Sequence, residues 1–355
     1  MATDTINFDI KKATQSRIAE VDFSNLVFGR SFADHMLVSF YSNGQWEKNE
    51  IVPYGDLSFS PAMASLHYGQ TIFEGMKAYK NADGEVLLFR PFDNWKRFNL
   101  SATRMCMPEV PEEIFIGGLR ELLKLDSQWV PTGEGQSLYI RPFMFAADEY
   151  IGVKPSDTYY FIIFNCPVGA YYSKPVKVRI ETEYIRAAEG GVGAAKCGGN
   201  YGGSLYPAKL AQEEGYDQLI WTDAKEHRYI EESGTMNVMF MIDGKLVTPA
   251  VSSSILDGVT RKSIIAVAEY WNIPVEQRRV LVEEVIEAAK NGTLEAAFGA
   301  GTAAVVSPFS HIAHEGVDYE LPAMTPESFP VRVKEFLNDL RTGKIEDIFG
   351  WTLKI

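Results

Sequence analysis

The sequence predicts an α+β protein, of mixed α/β content, divided into two domains. Three observations lead there. The chain has 355 residues, room for two domains of ordinary size. Strand-like and helix-like runs do not alternate regularly, which argues against a doubly wound parallel sheet. A stretch bearing Pro, Gly and Ser, Pro167-Val168-Gly169-Ala170-Tyr171-Tyr172-Ser173-Lys174-Pro175, falls near the middle and reads as a linker. The expected division is a smaller N-terminal α/β domain over 1–168, an interdomain loop over 169–177, and a larger C-terminal domain over 178–355.

The first half is rich in strands. Ile72 to Tyr79 and Glu85 to Phe89 flank Asn81-Ala82-Asp83-Gly84, a hairpin-turn composition. Leu138 to Phe145 and Tyr159 to Phe164 are strand-like runs. Two helices interrupt them. One covers Asp93 to Met105, with Trp95, Phe98, Ala102 and Met105 at helical spacing; the other covers about Pro111 to Leu125. Beyond the linker, Gly190 to Gly203 is glycine-rich. A helix over Leu205 to Glu214 closes at Gly215. Gln218 to Thr222, Arg228 to Glu232, Val238 to Ile242 and Lys245 to Thr248 read as strands, the last two joined by Asp243-Gly244. One helix begins near Val259 after Asp257-Gly258. Another runs from Val282 to Lys290 and ends at Asn291-Gly292.

Composition excludes several classes. The formal charge is 34 − 47 = −13, which disfavours nucleic-acid and membrane-surface binding but allows a local basic pocket for a small anion. Three cysteines, Cys106, Cys166 and Cys197, form no CxxC pair and fit a reducing compartment. No apolar run reaches the length of a membrane span, and no signal peptide is visible before Lys12, so a cytoplasmic protein is expected.

Five places carry chemistry. Glu189-Gly190-Gly191-Val192-Gly193-Ala194-Ala195-Lys196-Cys197-Gly198-Gly199-Asn200-Tyr201-Gly202-Gly203 holds one lysine among glycines. It is neither a Walker loop nor a dinucleotide fingerprint. The bland reading is a flexible surface loop. The sharper one is a desolvated lysine that forms an imine with an aldehyde. Ile230-Glu231-Glu232-Ser233-Gly234-Thr235-Met236-Asn237 ends a probable strand, with either a solvated acid pair or an acid aimed at a ligand. Leu256-Asp257-Gly258-Val259-Thr260-Arg261 opens a helix, and Phe298-Gly299-Ala300-Gly301-Thr302-Ala303 follows an apolar strand. Each is a capped turn or a phosphate site. Arg97 lies mid-helix, at the surface or on a phosphate. His311 and His314 are spaced HxxH without further ligands and read as loop histidines, so no metal is expected. Cys197 reads as a packing residue.

Together these segments resemble the branched-chain aminotransferases among the class IV, or fold-type IV, pyridoxal 5′-phosphate (PLP) enzymes. The ordered set is Glu232-x-Gly234-x2-Asn237, Leu246-x-Thr248 and Leu256-x-Gly258-Val259-x-Arg261. Met239 departs from the Phe or Tyr usual there, with Phe240 adjacent. The likeness extends to Val27-Phe28-Gly29-Arg30-Ser31-Phe32-Ala33-Asp34-His35-Met36, Leu66-His67-Tyr68-Gly69-Gln70-Thr71-Ile72-Phe73-Glu74-Gly75-Met76-Lys77, Leu138-Tyr139-Ile140-Arg141-Pro142 and the glycine-rich segment, hence essentially to the whole chain.

The resemblance implies the two-domain, D-amino acid aminotransferase-like architecture, with PLP bound by the C-terminal domain. It implies that Lys196 bonds the cofactor and is the catalytic base. Tyr201 would meet the phenolate oxygen, Glu232 the pyridine nitrogen, and Arg97, Val259, Thr260 and Thr302 the phosphate. On the substrate side it implies Tyr68, Tyr139 and Arg141, the arginine meeting the distal carboxylate of 2-oxoglutarate. Thr302 and Ala303 would meet the α-carboxylate, and Phe28, Phe73, Tyr171 and Thr235 would wall the pocket. The implied reaction moves the amino group of L-leucine, L-isoleucine or L-valine to 2-oxoglutarate, in a homodimer. The nearest alternative is another fold-type IV enzyme, a D-amino acid aminotransferase or an aminodeoxychorismate lyase. Mammalian members carry a CxxC pair where this chain has Ala304 and Ser307, so that thiol switch is not expected.

Overall fold

The computed structural model describes residues 6–169, 174–303 and 305–355. It bears out the α+β expectation, with two sheets and their helices in two compact units. The first unit comprises Met1–Tyr171, Ala195–Gly198 and Asp339–Ile355; the second comprises Tyr172–Ala194 and Gly199–Asn338. The C-terminal strand Thr352–Lys354 hydrogen-bonds to Leu87–Phe89 in the first sheet, which fixes the chain end there.

The first sheet contains β1 (Asp9–Ile10), β2 (His35–Ser42), β3 (Gln45–Pro53), β4 (Thr71–Phe73), β5 (Met76–Lys80), β6 (Val86–Phe89), β7 (Ser137–Ala146) and β8 (Tyr159–Val168). Its order is β1-β3-β2-β8-β7-β5-β6, with β4 also on β7. Asn43 and Gly44 take φ of 52° and 79°, the paired positive values of a type I′ turn, and join β2 to β3. The Asn81 carboxamide oxygen accepts from the N–H groups of Asp83 and Glu85 in the expected hairpin between β5 and β6.

The strand expected over 72–79 is broken at Glu74-Gly75. Its two halves pair with the two ends of β7, and the break turns Glu74 into the interior. Gly75 passes so close to the Tyr139 hydroxyl that a Cβ would collide with it. Helices α1 (Ala64–Tyr68), α2 (Pro91–Arg104) and α3 (Gly118–Leu125) complete this unit. Phe98 of α2 packs against Phe115 and Phe161, with ring centres 5.5 and 5.3 Å away. The helix expected over 111–125 begins instead as a wider π turn over Glu113–Gly117. That turn buries three consecutive residues, Ile114, Phe115 and Ile116, which a regular α-helix places on different faces.

The second sheet contains β9 (Val176–Ile180), β10 (Gln218–Thr222), β11 (Tyr229–Ser233), β12 (Met236–Ile242), β13 (Lys245–Pro249), β14 (Val275–Arg278), β15 (Val280–Leu281), β16 (Leu294–Gly301), β17 (Val305–His314) and β18 (Val317–Glu320). Strands β12-β16-β17-β9-β10-β11 run in that order, and β11 pairs back onto β12, so six strands close into a barrel. Val178, Ile220, Phe240, Ala297 and Phe309 belong to its core cluster. Asp243 and Gly244, at φ 49° and 70°, form the expected tight turn. Helices α4 (Gly198–Gly202), α5 (Leu205–Glu213), α6 (Val259–Tyr270) and α7 (Val282–Asn291) follow.

One expectation is corrected here. His311 and His314 are strand residues of β17, paired opposite Glu320 and Val317, not loop histidines. Residues three apart on a strand face opposite sides, so HxxH cannot chelate there. Among the described residues no group of His, Cys, Asp and Glu forms a metal site, and no helix is long and apolar enough to cross a membrane.

Candidate active site

In the first unit, Lys196 is stitched to β4. Its carbonyl accepts from the Phe73 N–H at 3.0 Å, Cys197 bridges Ile72, and its N–H donates to Ser101 Oγ at 3.0 Å. The amine nitrogen then lies 4.8 Å from the centre of the Phe73 ring. The same ring carries the Arg141 guanidinium carbon at 4.7 Å. Arg141 donates to the Tyr139 hydroxyl at 3.1 Å, and Phe28 meets Tyr139 edge-on at 4.9 Å. Phe28, Phe73, Tyr139, Arg141 and Lys196 are thus brought together. Among the described residues no carboxylate pairs with Arg141, and its Nε is buried without a hydrogen bond. Aromatic faces hold the cation while leaving its charge uncancelled.

Arg97 and Ser101 lie one turn apart on α2, so both address one side of it. Arg97 Nε and Nη2 bond the two oxygens of Glu74 at 2.7 and 2.9 Å, and Asn94 Nδ2 donates to Glu74 at 2.8 Å. Burial pushes the Glu74 carboxyl up, but Arg97, Lys196 and Asn94 outweigh it, and the group lies below its ordinary range. Ser101 donates to the Arg97 carbonyl and accepts from Lys196, so it ties helix to lysine. Glu74, Asn94 and Ser101 were missed by sequence reasoning. The i, i+4 spacing of Arg97 and Ser101 was a usable signal; the Glu74 pairing, across 23 residues, was not.

In the second unit, Glu231 and Glu232 are 8% and 3% exposed, so they are not the solvated acid pair of the bland reading. Glu232 lies 2.8 Å from Arg186 Nε and accepts from the Leu256 N–H at 2.8 Å and from Asn237 Nδ2 at 3.2 Å. Asn237 also donates to the Leu256 carbonyl at 2.8 Å. Gly258 follows, and a Cβ there would collide with the Asn237 side chain. This close approach ties Glu232, Asn237 and Gly258 into one cluster. Arg186 was missed, since nothing in its local sequence marks it.

Val259 and Thr260 open α6 behind Gly258, and no side chain caps that terminus. Its first N–H groups have no intrahelical partner and point at any anion placed there. Asn237 stands opposite Ala300 in the β12–β16 pairing. The β11–β12 turn with Thr235 and the β16–β17 turn with Thr302 and Ala303 therefore share one end of the barrel wall. Tyr201 lies half-buried on α4. Tyr68 is exposed at the end of α1, outside the Phe73 cluster. Tyr171 lies outside the described residues.

The donor set can be tested against a phosphorylated pyridine aldehyde. An amine sits among aromatic rings. A buried carboxylate is held in place by the Leu256 N–H, the Asn237 amide and an ion pair with Arg186. A helix N-terminus, two threonines and an arginine offer anion contacts. Each group of that ligand has a matching residue type, so the residues fit it.

The amino-transferase class IV family model matches residues 71–312. Branched-chain-amino-acid aminotransferase 2 of Bacillus subtilis is 42% identical over 359 residues, covering 100% of this chain and 98% of that protein. A probable branched-chain-amino-acid aminotransferase of Staphylococcus epidermidis is 46% identical, covering 94% of each. The branched-chain amino acid aminotransferase of Escherichia coli superposes with a TM-score of 0.71 at 27% identity, covering 90% of this chain and 98% of that one. The T.th. branched-chain amino acid aminotransferase, complexed with N-(5′-phosphopyridoxyl)-L-glutamate, superposes with a TM-score of 0.71 at 26% identity, covering 89% and 97%.

Proposed function

This chain belongs to the class IV aminotransferases, and from that premise we propose the roles of its residues. The reaction is PLP-dependent transfer of the amino group of L-leucine, L-isoleucine or L-valine to 2-oxoglutarate, giving the 2-oxo acid and L-glutamate. The alternative, a D-amino acid aminotransferase or aminodeoxychorismate lyase, finds no support among the relatives above.

When bound, PLP supplies the aldehyde that takes the amino group and the ring that spreads the charge left on the α-carbon. Lys196 Nζ would hold the cofactor and, once the substrate amine has displaced it, would take the substrate α-proton and give it back. Glu232, with Arg186 behind it, keeps the ring nitrogen protonated. Tyr201 would hold the cofactor's phenolate oxygen. Arg97, Thr302 and the N–H groups of Val259 and Thr260 would be the holders of the phosphate. Thr302 and Ala303 meet the substrate α-carboxylate, and Tyr68 stands on the substrate side. Phe28, Phe73 and Thr235 wall the side-chain pocket. The pocket must accept an aliphatic side chain and, in the second half-reaction, a carboxylate. Arg141 meets both needs, because it is held by Phe73 and Tyr139 rather than by an acid. That observation carries the assignment of 2-oxoglutarate.

The test is Lys196→Ala. Purified wild-type protein should absorb near the visible edge, and the variant should lose both that band and the activity. A colourless variant with full activity would end the reading.

The smaller N-terminal part, the 169–177 connection and the larger cofactor-binding part belong to the same proposal, as do a cytoplasmic location and a homodimer. The dimer is supported by exposed apolar side chains. Leu66 of α1 is 68% exposed, Ile151 68% and Val153 89%. The Ala64 N–H donates to the Asp148 carbonyl, which sets α1 beside the 148–153 turn.

A further inference from the structure

Glu231 and Glu232 are consecutive on β11, so their side chains leave opposite faces of the strand. One loop, residues 252–256, grips both. On one face the Ser254 hydroxyl makes a short hydrogen bond to Glu231 Oε1. On the other, the Leu256 N–H donates to Glu232. The loop is braced internally, with Ser252 Oγ 2.9 Å from Ser254 Oγ. It also holds Arg186, whose Nη2 donates to the carbonyls of Ser254 and Gly193 while its Nε faces Glu232 at 2.8 Å. Gly193 runs so close to Ser254 that a Cβ there would overlap its backbone. The Ala194 N–H and Gly190 N–H bond Ser253.

We infer that Glu231 is a positioning residue for Glu232: it anchors the Ser252–Ser254 loop, and the loop, through Arg186 and Leu256, sets where the Glu232 carboxylate stands. The inference rests on the reading of Glu232 as the partner of the ring nitrogen. Glu231 itself is suited to a neutral anchor. Its Oε2 is buried with no hydrogen-bond partner. Burial pushes its carboxyl up, against the opposing pull of Ser254 and Arg186. The Arg186 guanidinium is thereby left to Glu232, which a second charged carboxylate would contest.

The experiment uses the holoenzyme and reads cofactor affinity together with the pH midpoint of the bound cofactor's absorbance. Glu231→Ala and Ser254→Ala should each weaken cofactor binding by about tenfold and move the midpoint by about half a pH unit or more. The double variant should be no worse than either, because both remove one link. Glu231→Gln keeps an oxygen acceptor for Ser254 and should stay within about twofold of wild type. Unmoved midpoints in the two alanine variants, even with lowered melting temperatures, would overturn the inference. So would additive losses in the double variant, or Glu231→Gln behaving as Glu231→Ala. A wild-type protein without a cofactor band would instead bring down the reading of Glu232, and this inference with it.

Discussion

Arg97 and Glu74 form a two-pronged ion pair in the interior, with Nε–Oε1 at 2.7 Å and Nη2–Oε2 at 2.9 Å. The arginine proposed for the phosphate is therefore oriented before any ligand arrives. Removing one member of a buried pair leaves the other charge unmatched, at a cost of about 3–5 kcal/mol. Glu74→Gln should lower the melting temperature and weaken PLP binding together. The Glu74 carboxyl lies below its ordinary range, so the folded state binds fewer protons there than the unfolded one. The pair's contribution is then fully present above the unfolded carboxyl value of about 4.3 and fades as pH falls through the lower folded value. Melting curves of wild type and Glu74→Gln should differ most from pH 6 upward and converge in acid; a constant gap to pH 2 would refute the pairing as the source.

Arg141 separates the two substrates. Arg141→Met keeps the contact with the Phe73 and Tyr139 rings and deletes the charge. The KM for 2-oxoglutarate should rise about 10- to 100-fold, the scale of lost charge-assisted hydrogen bonds. The half-reaction with L-leucine should change by less than about threefold, because an aliphatic side chain draws little from a guanidinium. Equal losses in both half-reactions, measured by stopped-flow absorbance, would place the carboxylate elsewhere.

Gly258→Ala probes the junction of Asn237 with α6. The added methyl strikes the Asn237 side chain, so either that residue or the helix start must move. A stability loss of about 1–3 kcal/mol is expected, with weaker PLP binding. Gly199→Ala is the matched control, since nothing lies within 4 Å of its Cβ position. Equal denaturation midpoints for the two variants would show that Gly258 is not held by this contact.

The cysteines should react unequally. Cys106 is exposed, whereas Cys166 and Cys197 are buried. Burial pushes the Cys166 thiol up to about 11. Iodoacetamide at pH 8 should label Cys106 first in the folded protein, followed by mass spectrometry, because the thiolate is the reactive form. Early labelling of Cys166 would contradict its placement beside Tyr139 and Val168.

How much was legible follows how far each signal reaches along the chain. Turn chemistry is local, so Asp243-Gly244 and the closing glycines Gly215 and Gly292 were readable, and their positive φ values agree. Asn43-Gly44 carried the same signal and went unread. The break at Glu74-Gly75 was marked only by the glycine, a signal that went unread, while the tie to Arg97 that buries Glu74 had no local mark. The histidines of β17 were misplaced because HxxH spacing says nothing about strand or loop.

The sequence by itself determined the class of the fold, the turns, the ordered motifs and the residue types that the chemistry requires, because each depends on neighbours within a few positions. Only the tertiary structure decided that Phe73 carries both Lys196 and Arg141, that Glu74 orients Arg97, and that Arg186 stands behind Glu232. Those partners are separated by 23 to more than 100 residues of chain, and no local preference encodes them. They exist because strand pairing and burial bring charged groups together where water cannot satisfy them, so each must find a protein partner.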